Sequence, residues 1–395
     1  MVLRRVQFTG LALSTLLFIA HATNDAFSSM LSALLPTLQI RFGASETLLA
    51  LLVATYSFSS SVLQPVFGAV ADRIGRRVTG AVGLMTSSAV LSLMALAPNP
   101  WLLLVLLVLG GLGSAAFHPA GTGMARETAR EKGGLVVGLF SAGGTVGLAL
   151  GPVIIGTLLI NGWLEWSPLL MIPGVALGLL MLAVIPPRSS PPRDAPRPKI
   201  IDPELLLGPV GLLTVAGTFR SVSWVAFNNS WPLWLVHGRG LANDSPVLFW
   251  SLAVFGFSGG FGGVLAGLLE HRFSRHTLVT GTMLFALVPF SLLFLFTPGS
   301  IPYYLCIALA GACINGGLPL MVVSAQDLAP HAVGTASGML MGLTWGTAGV
   351  LYLGIGALQQ AFGILPALIL SFATLIPGAL TARHVLMKNR EQLGI

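Results

Sequence analysis

The segment Gly68-Ala-Val-Ala-Asp-Arg-Ile-Gly-Arg-Arg77 separates two apolar stretches, over residues 46–71 and 78–97. Four of its ten residues are charged, whereas charged residues make up only 8% of the 395-residue chain. A typical soluble domain has roughly 25%. With 54% hydrophobic residues and a mean hydropathy of +0.87, so little charge cannot cover a water-facing surface. The composition therefore excludes a soluble protein and predicts a membrane protein whose charged loops join lipid-facing helices.

The rest of the chain divides into similar apolar stretches, each near the roughly 20 residues that a helix needs to cross a bilayer. There are twelve: 7–37, 46–71, 78–97, 100–124, 134–160, 166–186, 208–236, 246–269, 277–297, 301–325, 332–358 and 362–384. A Pro-rich, charged segment near the midpoint reads as a linker. The predicted fold class is an all-α membrane protein of twelve transmembrane helices, with six-helix bundles over residues 1–187 and 208–395 and a cytoplasmic linker over 188–207.

The positive charges orient the predicted spans. Twelve spans place both termini and alternate loops on one side, and seventeen of the 20 Lys and Arg residues fall there, against two, Arg41 and Arg239, on the other side. Cytoplasmic loops carry an excess of Lys and Arg. We therefore expect cytoplasmic termini, and we interpret the net charge of +7 as a cytoplasmic rim rather than a nucleic-acid surface.

The two predicted bundles show an internal repeat. Three pairs of positions align at an offset of 199 or 200 residues: Gly68–Arg77 with Gly267–His276, Gly111–Pro119 with Gly311–Pro319, and Gly134 and Gly138 with Gly334 and Gly338. Parallel repeats of this kind are typical of secondary transporters whose halves move about a central site.

Four segments carry a family resemblance. Gly68–Arg77 matches the G-x-x-x-D-R-x-G-R-R signature of the major facilitator superfamily, and Gly147–Gly156 resembles the Gly-Pro antiporter motif of its drug:proton exporters. The segments His21-Ala-Thr-Asn-Asp25 and Phe117-His-Pro119 are similar to the fosmidomycin-resistance transporters. The resemblance implies the major facilitator fold and transport without enzymatic activity. Many drug exporters carry an arginine in the fourth span where this chain has Leu107, so a mechanism that uses that arginine is excluded.

The signature loop is interpreted as a cytoplasmic latch that stabilises one conformation without touching substrate. Asp72 would meet the N-terminal dipole of a neighbouring helix, Arg73 and Arg77 would pair across the bundle interface, and Gly75 would allow a tight turn. The latch residues are Gly68, Asp72, Arg73, Gly75, Arg76 and Arg77. The alternative is simple anchoring by positive charge.

The antiporter-like motif is expected to bend the fifth span. Pro152 removes a backbone donor, and Gly151 lets a neighbouring helix approach. As the resemblance implies, this kink would shape the interface between bundles and limit leak. The motif residues are Gly147, Gly151, Pro152 and Gly156. Gly143 and Gly144 are expected to serve only as small packing residues.

Two charged residues, Asp25 and Arg220, lie well inside predicted spans. Burying either costs about 2.5–3.5 kcal/mol on insertion scales, so both are functional candidates. One lies in each half of the chain, which favours pairing across a central cavity. A permanent structural ion pair is the alternative.

Polar residues near these charges recur at helical spacing. His21, Asn24, Asp25 and Ser28 share one face of the first span. By family resemblance, helices one, four, seven and ten line the cavity. The predicted proton-coupling residues are Asp25, His21 and His118, because imidazole titrates near neutrality; for a histidine in a membrane the alternative is a plain helix contact. The predicted substrate-binding residues are Asn24, Ser28, Phe117, Thr122, Arg220, Trp224, Phe227, Asn228 and Asn315.

The leading hypothesis is a proton-coupled exporter of a small amphipathic or anionic compound, with drug efflux implied by the resemblance. Arg220 suits an oxyanion, because its planar fork can bind two oxygens. A proton-coupled importer of an organic anion or sugar is the alternative, and a membrane-embedded enzyme or receptor is a remote one. We expect no cofactor and no metal, energy from the proton gradient, a monomer in the bacterial inner membrane, and lipid, protons and a small molecule as the only partners.

Overall fold

A computed structural model describes residues 10–128, 133–187, 203–330 and 332–393. Every regular element in these ranges is helical. The N-terminal nine residues, the last two, and most of the predicted linker (188–202) lie outside them. The expectation that both termini are cytoplasmic therefore stays a prediction.

Eighteen α-helices follow one another along the described chain. They are α1 Gly10–Phe42, α2 Glu46–Ser57, α3 Gln64–Ile74, α4 Arg76–Leu91, α5 Pro100–Thr128, α6 Gly133–Ile160, α7 Met171–Val184, α8 Pro203–Leu207, α9 Pro209–His237, α10 Pro246–Leu269, α11 Arg275–Leu292, α12 Ile301–Gly316, α13 Leu318–Leu328, α14 Val333–Gly338, α15 Thr344–Phe362, α16 Ile364–Ala373, α17 Leu375–Lys388 and α18 Arg390–Leu393. Short π-helical turns over Phe58–Val62 and Met339–Leu343 join α2 to α3 and α14 to α15.

Ten helical segments within these ranges are long and apolar enough to cross a membrane. They coincide with ten of the twelve predicted spans. The other two predicted spans, the first and the ninth, are also helical, as α1 and α11. The polar residues around Asp25 lower the mean hydropathy of α1, and the 18-residue α11 begins with Arg275 and His276. The predicted all-α membrane fold is confirmed.

The chain divides into two compact units. The N-terminal unit comprises Met1–Leu31 and Ser59–Pro196, and the C-terminal unit comprises Ser32–Phe58 and Arg197–Ile395. The last third of α1 and all of α2 thus belong with helices from the second half of the chain. Ser32 donates a hydrogen bond to the Asn229 side-chain oxygen at 2.8 Å, for example. The predicted division at the linker, into six helices on either side, stays a prediction.

Large apolar side chains lie exposed along helix faces. On α10, Phe257, Phe261 and Leu268 are 63%, 63% and 64% exposed, and their spacing places them on one face. Soluble proteins rarely expose a contiguous apolar surface of this kind, and such a surface marks a contact with a membrane or another protein. The face of α10 therefore fits direct contact with lipid.

The repeat predicted from the sequence recurs in the ion pairs of the two units. In the N-terminal unit, Arg76 pairs with Asp72 at 3.0 Å and with Glu127 at 2.7 Å. In the C-terminal unit, Arg275 pairs with Glu270 and with Asp327, the latter at 2.5 Å. Burial lowers the pKa of Arg275, but the hydrogen bonds and charges of its two acidic partners outweigh burial and leave the pKa raised. Each signature arginine therefore ties its loop to the end of another helix.

Three glycines of α6, two of them in the antiporter-like motif, let this helix lie directly on α1. A Cβ atom added at Gly143, Gly147 or Gly151 would lie 2.4, 2.2 or 2.1 Å from the backbone oxygen of a residue on α1, respectively Phe18, Ala22 or Ala26. These three glycines are spaced four residues apart, so they form one stripe along α6. Small residues of this kind allow close helix approach in a bilayer. The packing role expected for Gly143 is confirmed.

Replacing Gly151 by alanine is expected to lower the thermal stability of the N-terminal unit. The added methyl group would meet backbone, which cannot rotate away, so α1 and α6 must separate. Overpacking of this kind costs about 1–3 kcal/mol. Gly138→Ala on the same helix is the matched control, since a Cβ there meets nothing within 4 Å. Equal melting temperatures for the two variants in detergent would contradict the close packing of α6 on α1.

Candidate functional site

The polar stripe of α1 is buried inside the N-terminal unit. His21, Asn24 and Asp25 are 7%, 0% and 9% exposed. They lie on one face because residues three and four apart in a helix are neighbours. Ser28 lies one turn further on, where its hydroxyl donates to the Asn24 carbonyl at 3.4 Å. The sequence prediction that this stripe faces the protein interior is confirmed.

Asp25 lies between two imidazole rings. Its Oδ2 atom is 3.2 Å from His21 Nε2, and its Oδ1 atom is 3.1 Å from His118 Nε2 on α5. Asn24 donates from Nδ2 to Asp25 Oδ1 and to Ser114 Oγ, both at 3.0 Å. The three residues predicted from sequence to couple protons are therefore in direct contact, and we call them the His–Asp–His cluster.

Helix α6 forms the third wall of the cluster. The Phe140 ring stacks on the His21 ring with centroids 4.1 Å apart, and the Phe140 carbonyl accepts a 2.7 Å hydrogen bond from His21 Nδ1. A Cβ at Gly144 would lie 2.7 Å from both Asp25 Oδ2 and His21 Nε2. Gly144 thus leaves the space that the acid and the imidazole occupy. This differs from the simple packing role expected for it, because Gly144 faces polar side chains.

By spacing alone, the His–Asp–His cluster could also admit a metal ion, since its donor atoms lie within 4.8 Å of one another. Each imidazole faces a different oxygen of the carboxyl group, however, so the cluster has two separate histidine–carboxyl contacts. That arrangement favours protons over a shared central ion. The expectation of no metal and no cofactor stays a prediction.

A second polar cluster surrounds Arg220 on α9, in the C-terminal unit. Arg220 is fully buried, and it donates to Asn315 Oδ1 and to Ser221 Oγ, both at 2.9 Å. Its guanidinium carbon lies 5.1 Å from the centroid of the Trp345 ring, which contacts the Trp224 ring edge-on at 5.5 Å. The predicted substrate residues Arg220, Trp224 and Asn315 therefore lie together.

The charge of Arg220 lacks an acidic partner among the described residues. Its three side-chain contacts are an amide, a hydroxyl and an aromatic face. The buried Nε–H has no hydrogen-bond acceptor there. A buried charge without a counter-ion is costly, and an anion at the free Nε–H would offset that cost. The predicted pairing of Arg220 with Asp25 would join the two units and stays a prediction.

The remaining predicted substrate residues are less closely connected with either cluster. Phe117 is fully buried beside His21, with ring centroids 5.9 Å apart, whereas Thr122 is exposed and bonds to its own helix. Phe227 stacks on Phe255 within an aromatic core, and Asn228 donates to the carbonyl of Trp224. A separate apolar cavity lies on another face of α9 and is lined by none of the predicted substrate residues; its lining includes Val215, Thr218, Phe219 and Val222.

The signature loop makes its described contacts inside the N-terminal unit. Gly75 has a φ of 108°, in the region that favours glycine, and thereby forms the predicted tight turn between α3 and α4. Arg77 donates to the carbonyls of Leu182 and Ile185 at the end of α7, at 3.1 and 3.3 Å. These carbonyls tie the loop to its own unit, and the predicted pairing of Arg77 across the bundle interface stays a prediction. The latch itself stays a prediction.

Sequence reasoning missed several contributors to the two clusters. Phe140 and Gly144 come from α6, and Ser221 and Trp345 from the C-terminal unit. Phe140 contacts His21 partly through its backbone carbonyl, and a carbonyl is present in every residue, so no sequence pattern predicts this contact. Trp345 could have been found, since cation–π contacts of arginine favour tryptophan faces.

Comparison with known proteins agrees with the predicted fold. The family model of the Major Facilitator Superfamily matches residues 17–353. YfnC, an uncharacterised MFS-type transporter of Bacillus subtilis, is 27% identical over 89% of this chain and 87% of its own. The fosmidomycin resistance protein of Escherichia coli is 25% identical over 84% of this chain and 82% of its own. The solved nucleoside transporter NupG superposes with a TM-score of 0.76 at 12% identity, covering 94% and 99% of the two chains.

The chain belongs to the Major Facilitator Superfamily. It is therefore an integral membrane transporter of a small molecule and not an enzyme, and the resemblance inferred from the Gly68–Arg77 signature is confirmed.

Proposed function

We propose that this transporter is a proton-coupled exporter of a small anionic or amphipathic compound in the bacterial inner membrane. The observation that carries the proposal is the position of Asp25, buried between the two imidazoles of His21 and His118. Ionisable groups inside membrane helices mark proton relays and substrate paths. Imidazole is the side chain whose ordinary titration range lies near neutral pH. We further propose that the protein works as a monomer and draws its energy from the proton gradient.

The Arg220 cluster supports an anionic group on the substrate. The guanidinium has an unused Nε–H donor and no described acidic partner. An oxyanion accepts two parallel hydrogen bonds from such a fork. Trp224 and Trp345 beside it offer aromatic surface to an apolar part of the same molecule. Phosphonates and carboxylates with an apolar portion fit both features.

Export as the direction is supported by similarity. The fosmidomycin resistance protein is similar over most of both chains, and resistance to an antibiotic fits removal of the compound from the cell. The antiporter-like Gly-Pro motif favours the same direction. Coupling follows if protons at the His–Asp–His cluster and substrate at Arg220 favour different conformations, because each ligand shifts the equilibrium by its difference in affinity.

The test is transport by the purified protein in liposomes, with fosmidomycin as the first probe. An acidic interior should drive accumulation of the compound inside, in exchange for protons, and a protonophore should abolish that accumulation. An importer would instead accumulate the compound when the outside is acidic. Proton coupling would be overturned if the rate of uptake were the same for both directions of the pH gradient and were unchanged by the protonophore.

A further inference from the structure

We infer that the His–Asp–His cluster binds two protons, one at each contact between Asp25 and an imidazole. The inference rests on the proposed function for its physiological meaning, but its evidence is the hydrogen-bond geometry. It begins with the nitrogen atoms that face away from Asp25. His21 Nδ1 is 2.7 Å from the Phe140 carbonyl, and His118 Nδ1 is 2.9 Å from the Ser114 carbonyl. A carbonyl oxygen only accepts, and the Ser114 hydroxyl lies farther from His118 Nδ1, at 3.4 Å, so each Nδ1 carries a hydrogen atom.

The Nε2 atoms then decide the proton count. A neutral imidazole with a hydrogen at Nδ1 presents a lone pair at Nε2. Both Nε2 atoms lie within 3.2 Å of an Asp25 oxygen, which also presents lone pairs when ionised. Two facing lone pairs repel, so a hydrogen atom lies in each contact. A carboxylic acid has one O–H and can fill one contact only, so at least one histidine is an imidazolium when both contacts are made.

No other described titratable group faces Asp25. Helix α1 contributes His21, α5 contributes His118, and α6 contributes the ring and carbonyl of Phe140 and the open side of Gly144. Asn24 is neutral and donates to Asp25. The second proton can therefore bind only at the remaining contact between Asp25 and a histidine.

The two contacts are not equivalent. His21 is stacked on Phe140, and its side chain is 10% exposed, whereas the His118 side chain is 23% exposed. Loss of the proton between His118 and Asp25 leaves facing lone pairs, and that contact opens. His21 stays in place on Phe140. We therefore assign the more readily exchanged proton to His118.

Proton counting on the purified protein without substrate tests the inference. Wild type and variants are titrated against a pH-sensitive dye near neutral pH. Asp25→Asn removes the charge that holds both protons, so it should bind about two fewer than wild type, and His118→Gln about one fewer. Asn161→Ala removes an exposed amide that carries no titratable proton; it is the matched control and should bind as many protons as wild type. A deficit of about one proton in Asp25→Asn, or none in His118→Gln, would overturn the inference.

Nitrogen NMR of the histidine-labelled wild type keeps the test independent of variant folding. Near neutral pH, at least one cluster ring should carry hydrogen on both nitrogens, and the other should carry Nδ1–H. Two neutral rings, or a ring protonated only at Nε2, would overturn the proton assignment. A single bound proton with gradient-driven transport intact would refute this inference and leave the proposed function standing. Two bound protons without gradient-driven transport would support this inference and refute the proposed function.

Discussion

Replacing Asp25 by asparagine is expected to abolish proton-driven transport while leaving exchange of substrate for substrate. Asparagine matches the shape of aspartic acid but cannot take up a proton, so the cycle loses its driving ion. Gradient-driven uptake should fall to the level measured without an imposed gradient, because the variant has no carboxyl group to protonate. The measurement is uptake into liposomes with and without an imposed pH gradient, alongside counterflow with substrate on both sides.

The matched control for this variant is Asp244→Asn, which changes an exposed carboxyl group after α9. It should keep both activities. Undiminished gradient-driven uptake by Asp25→Asn would eliminate the proton role of the cluster. Loss of counterflow as well as uptake would instead mark Asp25 as a residue needed for substrate binding or folding, and a melting temperature would separate those two causes.

Much of the N-terminal cluster could be predicted from the sequence, because helical periodicity is local. His21, Asn24 and Asp25 recur at three- and four-residue spacing, which fixes a shared face before any tertiary structure is known. The contact with His118 spans 93 residues of sequence, from Asp25 on α1 to α5, and periodicity carries no such information. His118 is predicted to act with Asp25 only because helices one and four line the cavity in the family that the chain resembles.

The third wall of the cluster could not be predicted in the same way. Gly144 matters for the atom it lacks, and Phe140 matters partly for a carbonyl that every residue possesses. Their role depends on the register of α6 against α1, which the glycine stripe sets through three close backbone approaches. The antiporter-like motif therefore contributes to the position of the His–Asp–His cluster, because both lie in one unit and the motif packs α6 on α1. Neither the kink nor the composition of the motif predicts this contribution.

Aromatic residues were the least predictable part of the C-terminal cluster. Trp224 and Phe227 lie three residues apart, so both fit the same polar face by spacing. Trp224 reaches Trp345 beside Arg220, whereas Phe227 stacks on Phe255 with centroids 3.9 Å apart. A small rotation of α9 decides whether a side chain lies beside Arg220 or in the aromatic core. Aromatic side chains suit both places. Burial by neighbouring helices, which the sequence does not state, decides between them.

Replacing Arg220 by glutamine is expected to weaken transport of anionic substrates far more than that of neutral ones. Glutamine keeps hydrogen-bonding capacity toward Asn315 and Ser221 but removes the positive charge. A hydrogen bond to a charged group contributes about 1.5–3 kcal/mol, so the half-saturating concentration of an anionic phosphonate should rise roughly 10- to 100-fold. A neutral phenicol-type compound should change little. Concentration-dependent transport of both compounds in the same liposomes measures the ratio.

Two further variants separate an anion site from a structural role of Arg220. Arg220→Lys keeps the charge but loses the planar fork, so it should retain part of the affinity for the anionic compound and none of its two-oxygen geometry. Arg383→Gln removes an exposed charge on α17 and should leave both substrates unaffected. Equal losses for anionic and neutral compounds in Arg220→Gln would show that the guanidinium holds the helices together. A loss confined to the anionic compound, partly restored by lysine, is the result that an unpaired buried cation predicts.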